Sequence, residues 1–188
     1  MKIEEFMNAV TDFFLGGKRG DAAHMRLDRS VLDVAMMIAA IDGEILPAEI
    51  AAYNRLLGEC RGVSKSDIPA ASSEMLRKVG FLASLKQAGI SDRECVVSLV
   101  REAKAQLPAD FPSGSAADLR RALAFWTMMA VSDGDYSSLE RAAIHALAEC
   151  FSGEIDEAYL SKVENLTKDL ANPVRKNHAR IELEALMD

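Results

Sequence analysis

The chain has 188 residues, 49% hydrophobic and 27% charged, a balance that lets one globular domain bury roughly 70% of its unfolded surface and excludes a disordered or fibrous chain. Its 22 Lys and Arg stand against 29 Asp and Glu, a formal charge of -7, which argues against nucleic acid as a partner and favours cations or basic partners, because phosphate binding draws on clustered basic side chains. Three cysteines, Cys60, Cys95 and Cys150, have no CxxC spacing, which excludes a disulfide framework and a thiolate zinc site and suits a reducing compartment.

Apolar residues recur with a helical period nearly everywhere, and no strand-like alternation is long enough to build a sheet, so an all-α bundle of about eight or nine helices is expected. Met1-Lys2-Ile3-Glu4-Glu5 places acids where a signal peptide needs a basic region. The longest apolar run, near Ala122 to Val131, falls short of the roughly 20 residues that span a bilayer. A soluble, cytoplasmic protein without direct membrane insertion is therefore expected.

Ile3, Phe6, Met7, Val10, Phe13 and Phe14 mark a first amphipathic helix, ended by Gly16-Gly17, since glycine tolerates the left-handed position after a helix. Gly16 to Asp21, which contains Arg19-Gly20-Asp21, reads as a charged loop. A second helix is expected from Ala23 to Ile41 and a third from Pro47 to Cys60, with Pro47 in a first turn whose N–H groups lack helical partners anyway. Ser72 to Lys86 and Ser91 to Leu107 follow, and Ser91-Asp92-Arg93-Glu94 has capping-box spacing. Pro108 to Ser115, the densest Pro and Gly stretch, separates two halves expected to share a core. Ala116 to Ser132, Ser138 to Phe151, Asp156 to Leu170 and Pro173 to Met187 complete the helices. In the last of these Val174, Ile181, Leu183 and Leu186 are expected to pack. Trp126 and the methionine pairs Met36-Met37 and Met128-Met129 sit at core spacing.

Met36 to Leu57 set against Thr127 to Ala148, at an offset of 91, aligns 22 positions without a gap and gives 8 identities. The informative ones are Asp42-Gly43 with Asp133-Gly134 and Glu49 with Glu140, so each unit reads as a buried helix, an Asp-Gly turn and a return helix. Two uses of these acids are open. Asp-Gly is a turn signal, Ser137-Ser138-Leu139-Glu140 has capping-box spacing, and Glu49 follows Pro47 where a helix N-terminus favours negative charge. Alternatively Asp42, Glu44, Glu49, Asp133, Asp135 and Glu140 supply oxygen ligands to a divalent cation such as Ca²⁺ or Mg²⁺. An EF-hand is excluded by counting, because Glu140 or Glu49 as its position 12 puts Met129 or Ile38 at the acidic position 1.

Trp126-Thr127-Met128-Met129-Ala130-Val131 running into Ser132-Asp133-Gly134-Asp135-Tyr136-Ser137-Ser138-Leu139-Glu140-Arg141 resembles the signature of the TerB tellurite-resistance family. So does Ala39-Ala40-Ile41-Asp42-Gly43-Glu44-Ile45-Leu46-Pro47-Ala48-Glu49, and the resemblance covers about Leu27 to Cys150. It implies one all-helical cytosolic domain over 1–188, with repeat 1 at about 27–60, repeat 2 at about 116–151 and a helical extension at 156–188. A related domain precedes the J domain of the DjlA co-chaperones, but no His-Pro-Asp tripeptide occurs here. The resemblance further implies a role in tellurite or other stress responses. It also implies divalent-metal binding through Asp42, Glu49, Asp133 and Glu140, with Glu44 and Asp135 beside them, and protein partners that are membrane-associated or calcium-binding. The apolar Ile45-Leu46-Pro47 and the segment from Asp156 to Asp188 depart from the family pattern.

His24, His145 and His178 have no HExxH spacing, and no phosphate-loop, GxSxG or GxGxxG motif occurs. His145 with Glu149 reads as an i,i+4 surface pair. The expectation is a non-enzymatic binding module, carrying a cation or scaffolding a stress-response complex through an acidic surface. The alternatives are a metal-independent helical adaptor and a divalent-metal-dependent enzyme.

Overall fold

Two helices that are apolar almost all round occupy the centre, because a helix with no polar face has nowhere to go but the interior. One is α2 (Arg29–Ala39), buried at every residue from Leu32 to Ala39, and the other is α6 (Ala116–Val131), buried at every residue from Ala122 to Val131. They pack against each other. The computed structural model describes residues 3–15, 28–60, 62–112, 116–132, 136–152 and 156–187.

Around this pair lie α1 (Ile3–Leu15), α3 (Pro47–Leu57), α4 (Ile68–Gln87), α5 (Asp92–Gln106), α7 (Ser138–Ser152), α8 (Glu157–Leu170) and α9 (Lys176–Met187). A 3-10 turn, Ala40–Asp42, extends α2, and no strand occurs among the described residues. Contacts of α2 with α6 and α7, and of α5 with α7, cross the Pro-rich break, so buried side chains from both halves form one cluster. The extension is part of that core: α8 packs on α6 and α9 packs on α8, with Val163, Ala179 and Leu183 fully buried. No helix among the described residues is long and apolar enough to cross a membrane.

Local signals place most boundaries and tertiary ones move the rest. The helix expected from Ala23 begins instead at Arg29, because Asp28 takes the extended backbone of an N-cap, while 23–27 lie outside the described residues. Helix α4 starts four residues before Ser72, with Pro69 in its first turn, and α3 ends at Leu57, ahead of Gly58. The loop 16–21, with Arg19-Gly20-Asp21, lies outside the described residues. Ser91 caps α5 through its hydroxyl, which accepts Glu94 N–H at 3.4 Å, but the hydroxyl proton goes to Glu94 Oε2 at 2.6 Å. The glutamate therefore holds the capping serine instead of reaching the Ser91 backbone N–H that a complete box would use.

Two surface readings change. The last helix begins at Lys176 and not at Pro173, so Val174 lies in the turn before α9 and is exposed; Ile181 is exposed on the side of α9 opposite Ala179 and Leu183, and of the four expected residues Leu183 and Leu186 pack. His145 Nδ1 meets Glu157 Oε1 of α8 at 3.3 Å, in place of Glu149 one turn along its own helix.

Candidate functional site

The first Asp-Gly turn is held from within and from outside. Asp42 Oδ1 accepts Glu44 N–H at 2.9 Å, closing a local turn of the kind aspartate favours. Gly43 has φ of +99°, a left-handed conformation that suits glycine, and its carbonyl accepts Gln87 Nε2 at 2.7 Å. A Cβ at Gly43 would lie 3.3 Å from Lys86 Cγ, so the lysine stem of α4 lies directly on the turn, and its ammonium pairs with Asp92. Glu44 points to solvent.

The return helices are capped by the paired glutamates. Glu49 Oε2 accepts Leu46 N–H at 2.7 Å and Glu140 Oε2 accepts Ser137 N–H at 2.7 Å. In the second unit the box is complete, because Ser137 Oγ accepts Glu140 N–H at 3.1 Å. In the first it is half a box: leucine has no side-chain acceptor, and Glu49 N–H turns to Leu46 O at 3.1 Å. Both carboxylates are buried, at 5% and 1% exposure, as groups serving backbone donors are. Beside Glu140, the Arg141 guanidinium lies 4.7 Å above the Tyr136 ring and pairs with Glu164 at 2.8 Å.

Of the six acids singled out by sequence, Asp42 and Glu44 lie on the first Asp-Gly turn, while Glu49 and Glu140 stand in the first turns of α3 and α7. Asp133 and Asp135 lie outside the described residues. Among the described residues no three His, Cys, Asp or Glu side chains form a group that could hold a metal ion. Replacing Glu140 by alanine should destabilise the protein by about 1–2 kcal/mol and replacing Glu49 by about 1 kcal/mol, each in metal-free buffer, since each change strands a backbone donor. Urea denaturation checks this; losses below about 0.5 kcal/mol would show that the carboxylates do not brace the helices.

A second polar cluster lies deeper. Asp33, in the apolar run Val31 to Ile41, has no exposed surface and accepts Tyr53 Oη at 2.7 Å and Gln106 Nε2 at 2.6 Å, joining α2 to α3 and α5. Gln106 Oε1 in turn accepts Lys78 Nζ at 2.7 Å, and Arg29, 3.5 Å from Asp33, reaches Glu74 at 3.0 Å, which adds α4. Burial raises the Asp33 carboxyl above its ordinary value, with the Tyr53 hydroxyl and Arg29 pulling the other way. The same burial, with Asp33 beside it, lifts the Tyr53 hydroxyl far out of its usual range and pushes the Cys60 thiol up to about 12. Cys60 is therefore a protonated core residue, donating to Leu56 O at 3.5 Å, and not a nucleophile. With Asp33, Tyr53 and Cys60 all buried, the cluster ties four helices together.

The sequence reading passed over Asp33, although an acid inside an unbroken apolar run is itself the sign of a buried, paired carboxylate. The repeat gave no help, since the counterpart of Asp33 is Ala124. No protein-family model, curated protein or solved structure matches this chain.

Proposed function

We propose that the protein is a non-enzymatic, TerB-like helical module that scaffolds a protein complex in a cytoplasmic stress response, its two helix, turn, helix units serving as frame. The observation that supports this reading is the use of Glu49 and Glu140, each turned inward onto a backbone N–H at 2.7 Å at the start of its return helix. A carboxylate committed to a helix N-terminus and shielded from water stabilises the unit and is poorly placed to take up a hydrated cation. At the first turn, the Lys86 stem lies against Gly43 and its ammonium pairs with Asp92. The link to tellurite and stress responses, and to membrane-associated or calcium-binding partner proteins, rests on the resemblance of the two Asp-Gly units to that family.

A second reading is kept for the C-terminal turn, where Asp133-Gly134-Asp135 concentrates the charge that Ile45 and Leu46 dilute in the first. There Asp133, Asp135 and Glu140 would hold Ca²⁺ or Mg²⁺. Calorimetric titration with CaCl₂, MgCl₂ and MnCl₂ into the millimolar range separates the two readings. The scaffold reading expects no saturable heat. Saturable binding, weakened more by Asp133→Asn with Glu140→Gln than by Asp42→Asn with Glu49→Gln in variants that circular dichroism shows folded, would replace it with the cation reading.

A further inference from the structure

The charge of this acidic chain is unevenly spread. Residues 68–106, which contain α4 and α5, carry six Lys and Arg against four Asp and Glu, whereas the remainder carries sixteen against twenty-five. The helical hairpin is therefore a cationic region on an anionic molecule.

Helix geometry collects that charge on one side. Arg93, Val97, Arg101 and Lys104 follow one another at i, i+4, i+8 and i+11, on the face of α5 opposite the buried Cys95, Leu99 and Ala103. On α4, Arg77 and Phe81 lie opposite the buried Met75, Val79 and Leu82, and the Lys78 to Gln106 bond marks the neighbouring side of α4 as the one that meets α5. The outer face of the hairpin thus carries two apolar side chains among cations, Phe81 at 50% and Val97 at 62% exposure. Lys78 and Lys86 are neutralised by Glu74 and Asp92, and among the described residues Arg101 pairs only with its neighbour Glu102 at 3.4 Å. Arg77, Arg93 and Lys104 make no ion pair among the described residues. A shallow depression lined by Ser91, Arg93, Glu94, Val97 and Ser98 follows the α5 side of this face.

We propose that the outer face of the α4–α5 hairpin docks an acidic helical segment of a protein partner, with Phe81 and Val97 meeting its apolar residues and Arg77, Arg93, Arg101 and Lys104 its carboxylates. This names the partner chemistry for the scaffold reading and rests on it. Arginine and aromatic side chains dominate interface energetics, and an amphipathic helix offers apolar anchors at i, i+4 and i+7 that match two rigid helices lying side by side. Charge complementarity sets the sign of the partner and speeds encounter. A nucleic acid is a poorer occupant, because Glu94 stands inside the face and the rest of the molecule repels a polyanion.

The test uses the full chain as bait for a displayed library of helical peptides of 15 residues, the length of α5. The proposal expects enrichment of acidic sequences with apolar residues at i, i+4 spacing. It also expects amide shifts confined to residues 77–104 on titration of the enriched peptide at about 0.15 M salt. Arg93→Glu with Arg101→Glu, and separately Val97→Asp, change exposed positions and should leave the circular dichroism spectrum intact while weakening the enriched peptide at least about tenfold. No enrichment, enrichment of neutral or basic sequences, or peptides indifferent to both variants would overturn the proposal. Self-association by light scattering that the reversal abolishes would replace the partner with a second copy. Binding to vesicles of phosphatidylserine and phosphatidylcholine without peptide enrichment would replace it with a membrane. A silent metal titration with no enrichment defeats the docking face and leaves the scaffold reading standing. Saturable cation binding with enrichment intact defeats the metal-free reading and leaves the face.

Discussion

Truncation of Trp126 to alanine should cost about 3–5 kcal/mol, a large share of the roughly 5–15 that hold a domain of this size together. The indole has no exposed surface, and its Nε1–H donates to Val31 O at 2.9 Å, so α6 is stitched to the first turn of α2 at the centre of the bundle. The Phe111 ring lies 6.3 Å from it and makes an edge-on contact with Phe151 at 5.2 Å, which carries the packing into α7. Alanine would remove the filled volume and the donor together, and helices packed on all sides cannot collapse into the space. Trp126→Phe should cost less, because it keeps one ring and loses the hydrogen bond. Trp126 is the sole tryptophan, so the comparison belongs to circular dichroism in urea and not to fluorescence. An alanine variant within about 1 kcal/mol of the parent would mean that this centre is not the packed core described above.

Asp33→Ala should be of similar size, about 3–5 kcal/mol, for an electrostatic reason. It takes the acceptor from the Tyr53 hydroxyl and the Gln106 amide inside the core and leaves Arg29 without its buried partner. Asp33→Asn should cost less, since one oxygen still receives the tyrosine, although its amide then faces the amide of Gln106. The two variants also differ from the parent in pH dependence. Burial raises the folded carboxyl above 3.8, so the native state holds the proton more tightly than the unfolded chain. Its stabilising contribution is complete below the unfolded value and is lost as pH rises through the folded one, and Asp33→Asn should remove that loss.

Glu164 works in the opposite sense. Burial opposes its ionisation, but Lys168 and Arg141 outweigh burial and hold it below 4.5. Its contribution is present above that value and disappears as pH falls through the folded one. Urea midpoints measured across pH 3 to 6 should therefore tilt in opposite directions for Asp33→Asn and Glu164→Gln relative to the parent. Parallel curves for all three would contradict the charge states assigned here.

Features that depend on neighbours within a few turns are legible in the amino-acid order. The helical period makes the chain all-α, and Trp126, Met36, Met37, Met128 and Met129 are buried because each falls on an apolar face that a helix must cover. The box of Ser137 and Glu140 spans three residues and was legible from spacing alone. Tertiary structure decided what depends on partners far along the chain. Gln106 meets Asp33 from 73 residues away and Gln87 clamps the Gly43 carbonyl from 44, and no local pattern encodes either contact. The position of Glu49 two residues after Pro47 fits a cap and a ligand alike, and the structure adds that its carboxylate accepts the Leu46 N–H. Ile181 and Leu183 are both apolar and both expected to pack, but they point to different sides of α9, and the fit against α8 covers Leu183 and leaves Ile181 exposed. Periodicity finds the faces of a helix; which of two apolar faces is covered depends on the shape of the surface that the other helices present.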